Sequence, residues 1–439
     1  MILQYGAYVL ALTADDSLYL WKDKKDDDND PYSLSPYDFI DPRLIASSVK
    51  ALKLCPRYGR PLVLMQDGRV LTDVNLLSGL TFEDITAQLC CTLKGPDLMF
   101  PHAYRTKVTI QDVHVCGGMI VTVADDRISF TKMSYNVFSN IQFNRMTPSF
   151  IAFKDGINYS SFGYTHGYVR TNDNSLYSFG YLRPYNQDYP KVRDHPELAA
   201  ITAFKLVDIA DAENINQIIC KTHYSFFIMN DGSVRSRSLT DRRWDDRDTD
   251  GPLRQIDIPA GVCIAKIIAK RSHIFYITTE GLCYYSYSRA VGRGCPYSAS
   301  RPVLIKALAG CFVENVAATR NGAIVQYDEA GKLCLLQTTY PTGNGGLQIN
   351  GPIDPAYAEG TVSPVPLPFP EDVKIVSVTP ADNWVYFTTD RGRVYRHSHR
   401  WHLDTDKLGT RKVAFFSENP VAVGSSAARI RSGRSCLDD

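Results

Sequence analysis

One local pattern recurs eight times along the 439 residues of this chain, and it leaves few architectures open. An apolar, strand-like run leads into a short turn of acidic residues, glycine or asparagine, and a second apolar run follows. The turns are Asp15-Asp16-Ser17, Asp67-Gly68-Arg69, Asp125-Asp126-Arg127, Asp173-Asn174-Ser175, Asp231-Gly232-Ser233, Glu280-Gly281-Leu282, Ala330-Gly331-Lys332 and Arg391-Gly392-Arg393. Gly, Asn and Asp tolerate the positive φ that tight hairpin turns demand. The flanking β-branched and aromatic residues suit a half-buried pleated surface, and 26 tyrosines supply many of them.

The first apolar residues after the turns are Leu18, Val70, Ile128, Leu176, Val234, Cys283, Leu333 and Val394, at intervals of 52, 58, 48, 58, 49, 50 and 61. A near-constant period of this size signals a repeat architecture. Four strands per repeat would make each unit one blade of a β-propeller. The runs 262–269 and 373–378 precede hairpins and read as inner strands, and 302–305 follows one and reads as an outer strand. The expected fold is therefore all-β, a seven- or eight-bladed β-propeller over residues 1–416, with a Pro/Gly-rich insertion at 341–372 and a C-terminal tail at 417–439. Unrelated hairpins in a sandwich or barrel, or a solenoid of stacked hairpins with capped ends, are the alternatives.

Some units carry more than the hairpin. Gly163-Tyr164-Thr165-His166 precedes Asp173-Asn174 and Phe179-Gly180, Thr222-His223 precedes Asp231-Gly232, and Ser272-His273 precedes Glu280-Gly281. In this the units resemble the regulator of chromosome condensation repeat, and the connection from Ser286 through Gly292-Arg293-Gly294 to Pro302 is similar to that repeat's glycine-rich loop. The Gly-Gln-Leu-Gly element of that family is missing throughout, several units lack the histidine, and that family closes seven blades where eight hairpins are counted here. The resemblance implies the propeller fold. It implies nucleotide exchange on a small GTPase only if a loop that could wedge into the nucleotide site were found, and none is evident.

The candidate sites are few. His166, His223 and His273 hold equivalent places in successive units, which argues for a structural role, with each imidazole bonded to neighbouring backbone. His397, His399 and His402 read as solvated edge residues. Asp246-x-Asp248-x-Asp250-Gly251, with Asp257 at the twelfth position, has the spacing by which alternate carboxylates converge on calcium. The last position lacks the bidentate Glu, no helices flank it, and Arg242, Arg243 and Arg247 stand ready to neutralise the acids, so a solvated, salt-bridged loop is the favoured reading over a calcium loop. The acidic run Asp26, Asp27, Asp28 and Asp30 reads as a polar loop. Eleven cysteines include no C-x-x-C pair, and those in apolar runs, such as Cys220 and Cys334, read as buried thiols of a reducing compartment.

No phosphate-binding glycine loop, nucleophile elbow or zinc-protease motif is present. The 48 basic and 47 acidic residues nearly cancel, which speaks against nucleic-acid binding by bulk charge. No apolar run reaches membrane-spanning length, and residues 1–10 lack the features of a signal peptide. The expectation is a non-catalytic propeller without a cofactor, binding proteins or building a larger assembly. An intracellular, cytoplasmic location is expected, with a virion as the alternative. An exchange-type regulator of a small GTPase and a propeller hydrolase or lyase are the competing functions.

Overall fold

A computed structural model describes residues 2–5, 8–13, 15–22, 43–54, 61–73, 82–89, 109–116, 119–136, 139–143, 149–163, 166–180, 205–206, 212–221, 224–238, 253–270, 273–287, 301–318, 322–328, 332–337, 352–367, 374–380, 384–389, 394–398 and 417–419. Within them the chain forms eight antiparallel sheets in sequence order. Every hairpin read from the sequence supplies the second and third strands of one sheet, from Tyr8–Leu12 with Leu18–Lys22 to Trp384–Thr389 with Val394–Ser398. A first strand comes before each hairpin, as Val49–Leu54, Asp112–Cys116, Ile157–Phe162, Ile215–Cys220, Ile264–Lys270, Val313–Ala318 and Ile375–Pro380 do, and a fourth follows. Up-and-down sheets of this kind, eight times over, define a β-propeller with eight blade sheets. The expected inner runs 262–269 and 373–378 are first strands, and the expected outer run 302–305 contains the fourth strand Val303–Leu304.

Two compact units are formed by the described residues, one within 1–47, 231–234 and 255–438, the other within 48–230 and 235–254. In each, apolar faces of successive sheets make the core. Leu62, Leu64, Val113, Val115 and Ile120 fill the space between the second and third sheets. Phe275, Ile277, Tyr285, Val316, Val325 and Leu336 do so between the sixth and seventh.

The first strands carry a device absent from the sequence reading. In six sheets the pairing with the second strand skips one residue just inside the start, at Lys50, Asn158, Asn216, Ala265, Glu314 and Val376. Such a bulge moves the alternation on by one residue. Apolar residues three apart can then face one core, as Ile215 and Ile218, Val313 and Val316, and Ile375 and Val378 do, all buried. A regular strand would send them to opposite faces.

The hairpin turns use their acids as the sequence suggests. Asp67, Asp173 and Asp231 each accept the backbone N–H two residues on, the Asx-turn arrangement. Asp16 and Asn174 take positive φ in the first and fourth turns, and Gly68, Gly232 and Gly281 do so in the second, fifth and sixth. Glycine at position 232 answers a second demand as well. A Cβ there would lie 2.6 Å from the Cβ of Cys263, the residue just before the next sheet. The Gly232 carbonyl accepts the N–H of Ile264 at 2.9 Å, and Gly281 receives Val313 in the same way at 2.8 Å. The turn is thus the place where one sheet fastens to the next.

Residues 352–367, within the expected insertion 341–372, belong to the core. Val365–Pro366 is the fourth strand of the seventh sheet. A single helical turn, Pro355–Glu359, is capped by Asp354, whose carboxylate accepts the Ala356 N–H at 3.0 Å. Ile353 and Tyr357 beside it are buried against residues of the sixth sheet. The Tyr285 hydroxyl accepts the Ile353 N–H at 3.1 Å and meets His273 Nδ1 at 3.0 Å. Tyr285→Phe should therefore leave a buried N–H without its acceptor and lower unfolding stability by about 1–3 kcal/mol. Urea denaturation checks this, and a loss under about 0.5 kcal/mol would show that the hydroxyl is not holding the segment.

The third sheet differs from the others. Its third strand, Arg127–Asn136, runs past the last residue paired with Met119–Val123. Beyond that point Met133–Asn136 pairs with Ser139–Phe143, so a two-stranded tongue continues from the end of the sheet.

Candidate functional site

The first strand is the edge strand of its sheet, and several of its polar side chains bond to the first strand of the next sheet. Hydrogen bonds in these positions link residues about one repeat apart. Tyr159 donates through its hydroxyl to the Ile218 carbonyl, 59 residues on, at 2.7 Å. Lys266 donates to Asn315 Oδ1, 49 residues on, at 2.7 Å. Gln326 on a second strand reaches the Ile375 carbonyl across 49 residues at 3.1 Å.

One such link gathers three titratable groups. Asp112 and His114 lie two apart on their strand, with Val113 and Val115 turned into the core between the second and third sheets. Lys53 comes from the first strand of the second sheet. Its ammonium donates to Asp112 Oδ1 at 2.9 Å and stands 3.4 Å from His114 Nδ1. His114 Nε2 lies 3.0 Å from Asp112 Oδ2, out of line for a good hydrogen bond. The His114 ring also packs on Phe162 of the fourth sheet, centroid to centroid 4.9 Å. The imidazole side chain is 13% exposed. Burial pushes the proton affinity of His114 below that of a free histidine, the Lys53 ammonium pushes the same way, and Asp112 only partly opposes them. Burial works to raise Asp112, but His114 and Lys53 outweigh it and hold the carboxyl far below the usual range. The imidazole is thus neutral and the carboxylate ionised near neutrality.

The three residues escaped the sequence reading because no single unit contains them. The trace they leave is a polar pair alternating with valine in Asp112-Val113-His114-Val115, and a lysine one repeat earlier at an equivalent edge.

The histidines singled out by the repeat are held inside the sheets where they are described, and the ring hydrogen bonds seen go to hydroxyl groups, where the sequence suggested backbone. His166 and His273 are buried at the starts of second strands. His166 Nε2 meets Ser225 Oγ of the fifth sheet at 2.5 Å, and the His166 carbonyl accepts the Gly163 N–H at 2.8 Å. Gly163 has no room for a side chain, because a Cβ would sit 2.5 Å from the Lys221 carbonyl oxygen. Near this pair the Tyr168 hydroxyl accepts from buried Arg237 at 3.5 Å. His273 meets the Tyr285 hydroxyl. His223, His399 and His402 and the side chain of His397 lie outside the described residues.

Of the possible calcium ligands, Asp246, Asp248 and Asp250 lie outside the described residues, and Asp257 is exposed and ion-paired with Arg301 at 3.0 Å. Among the described residues no three His, Cys, Asp or Glu side chains converge as a metal site. Cys116, Cys220, Cys283 and Cys334 are buried free thiols, as their apolar runs suggest, whereas Cys311 is half-buried and Cys263 is exposed. Burial pushes the Cys283 and Cys334 thiols up to about 12. In the folded protein iodoacetamide should modify Cys263 before the other described cysteines, with Cys283 and Cys334 roughly a hundredfold slower or more. Peptide mass mapping reads the order, and equal rates would mean that the blade core opens freely.

No family model matches the chain, and no curated protein matches it. Solved structures resemble it only distantly. The yeast RCC1 protein Prp20, in its complex with Kap60, is 12% identical with a TM-score of 0.45, over 78% of this chain and 81% of that one. BamB from Moraxella catarrhalis is 9% identical with a TM-score of 0.44, over 92% and 94%. The computationally designed protein Ika8 is 11% identical with a TM-score of 0.44, over 90% and 95%. The chain is a β-propeller.

Proposed function

We propose that this chain is a non-catalytic β-propeller that serves as a protein-interaction or structural module in a larger assembly, a virion included. The observation that carries the reading is where the repeat varies in length. The second-to-third turns hold nearly constant from sheet to sheet. The third-to-fourth connections do not, and span 23–42, 74–81, 181–204, 239–253, 288–302, 338–364 and 399–416. In an up-and-down sheet those connections leave from the end that also bears the first-to-second turns. Constant turns fasten neighbours together, while the variable connections are free to differ, as binding surfaces on rigid scaffolds do. Most of the buried polar groups described above are engaged with neighbouring sheets, which fits a scaffold better than a reaction centre. Cross-linking and native mass measurement of the protein from its source test the reading. Stable protein partners support it, and a lone monomer overturns it.

Regulation of a small GTPase by nucleotide exchange is the second reading. It is favoured by the tongue at Met133–Asn136 and Ser139–Phe143, an element added to one sheet alone among those described, of the sort such an activity needs. Nucleotide-release assays with and without residues 133–143 separate the two. Acceleration that disappears with the tongue supports exchange, and no acceleration with any GTPase removes it.

A further inference from the structure

We propose that Lys53, Asp112 and His114 form an acid-operated clasp between the first strands of the second and third sheets, closed while His114 is neutral and loosened when it takes a proton. Three observations carry the inference. The Lys53 ammonium stands 3.4 Å from His114 Nδ1, a separation that suits a lone pair on that nitrogen and not a second N–H. Lys53 is also the residue through which the second sheet reaches this point of the third, donating to Asp112. The uncharged ring of Phe162, from the fourth sheet, packs on the imidazole, and among the described residues Lys53 and Asp112 are the charged groups that act on His114.

A proton on Nδ1 sets two cations side by side over one carboxylate. Asp112 can neutralise only one of them. Lys53 sits on a long flexible stem and is 25% exposed, so it is the group that can leave for water. Its departure removes a bridge between the two first strands. The neighbouring bond from Lys50 to Gln111, at 3.1 Å, is more exposed.

The direction with pH follows from the shift. His114 binds its proton less readily in the folded chain than when unfolded. Its contribution to stability is therefore complete above the unfolded value of about 6.5 and is lost as pH falls below it. Asp112 acts in the same sense but only in the carboxylate range, near or below about 4. Between pH 7.5 and 5.5 the change from this cluster therefore belongs to His114.

Thermal unfolding of the full chain at pH 7.5 and 5.5 tests this against His114→Gln, which keeps a polar side chain but cannot titrate. The wild type should lose about 1–2 °C more than the variant on acidification. Hydrogen exchange in 49–54 and 112–116, corrected for its intrinsic rate, should rise at pH 5.5 in the wild type alone. Equal losses in both proteins overturn the proposal. Should the variant not fold, Lys53→Met answers the same question. Removing the ammonium should move the NMR titration midpoint of His114 upward, and an unmoved midpoint overturns the clasp.

Discussion

Gly232→Ala should lower unfolding stability by about 2–5 kcal/mol, while Gly261→Ala should lower it by only about 1–2 kcal/mol. Both glycines take a left-handed backbone, with φ of 78° and 82°, so both substitutions bear the strain of an alanine at positive φ. They differ in surroundings. The new Cβ at 232 would press on Cys263, with backbone Cα at 2.7 Å and Cβ at 2.6 Å, whereas nothing lies within 4 Å at 261. The difference between the two measured losses isolates the close approach of turn and following sheet. Guanidinium denaturation of the two variants provides it. If both lose the same amount, the turn-to-sheet fastening described above is not a packed contact.

Phe275→Ala is the second large effect, with an expected loss of about 3–5 kcal/mol. Phe275 is fully buried on the second strand of the sixth sheet, among side chains from the sixth and seventh. Its ring sits 5.1 Å from that of Tyr285, centroid to centroid. Truncation removes the apolar contact area, leaves a void in the core that Val316 and Val325 also line, and takes away the partner of a ring that orients residues 352–367. The effect should exceed that of Tyr285→Phe, which keeps both rings. Denaturation midpoints for the two variants settle the order, and a Phe275→Ala loss below about 1 kcal/mol would mean that the two sheets do not share a core.

The hairpins were legible because their signals are local. An Asp or Gly turn between two apolar runs specifies its own geometry, and eight of them at one period specify a repeat. The first strands were half legible. The run 262–269 reads as apolar, but Ile264 and Ile267 sit at a spacing that suits no regular strand, and only the skipped residue Ala265 reconciles it. A bulge is decided by the fit of a strand to its partner. In the strand alone it leaves only that odd apolar spacing. The same holds for Lys53 with Asp112 and His114, which lie 59 and 61 residues apart in sequence and meet only once two sheets stack. Residues 352–367 were misleading for a different reason. Their prolines and glycines read as loop, yet Ile353 and Tyr357 are anchors, and an apolar pair within a proline-rich stretch is too short to announce itself. The structural place of His166 and His273 was visible because the repeat shows which positions recur, although their hydroxyl partners on Ser225 and Tyr285 were not.

The fourth strands of the fourth to seventh sheets, Lys205–Leu206, Arg254–Gln255, Val303–Leu304 and Val365–Pro366, are each two residues long. A chain with eight outermost strand edges would otherwise offer many rows of open amides and carbonyls to any extended peptide nearby. Two residues give such a row no length over which to zip, and Pro366 withholds a donor altogether. Edge-to-edge pairing through these four strands, and the fibrous aggregation it would seed where molecules crowd together, is thereby disfavoured.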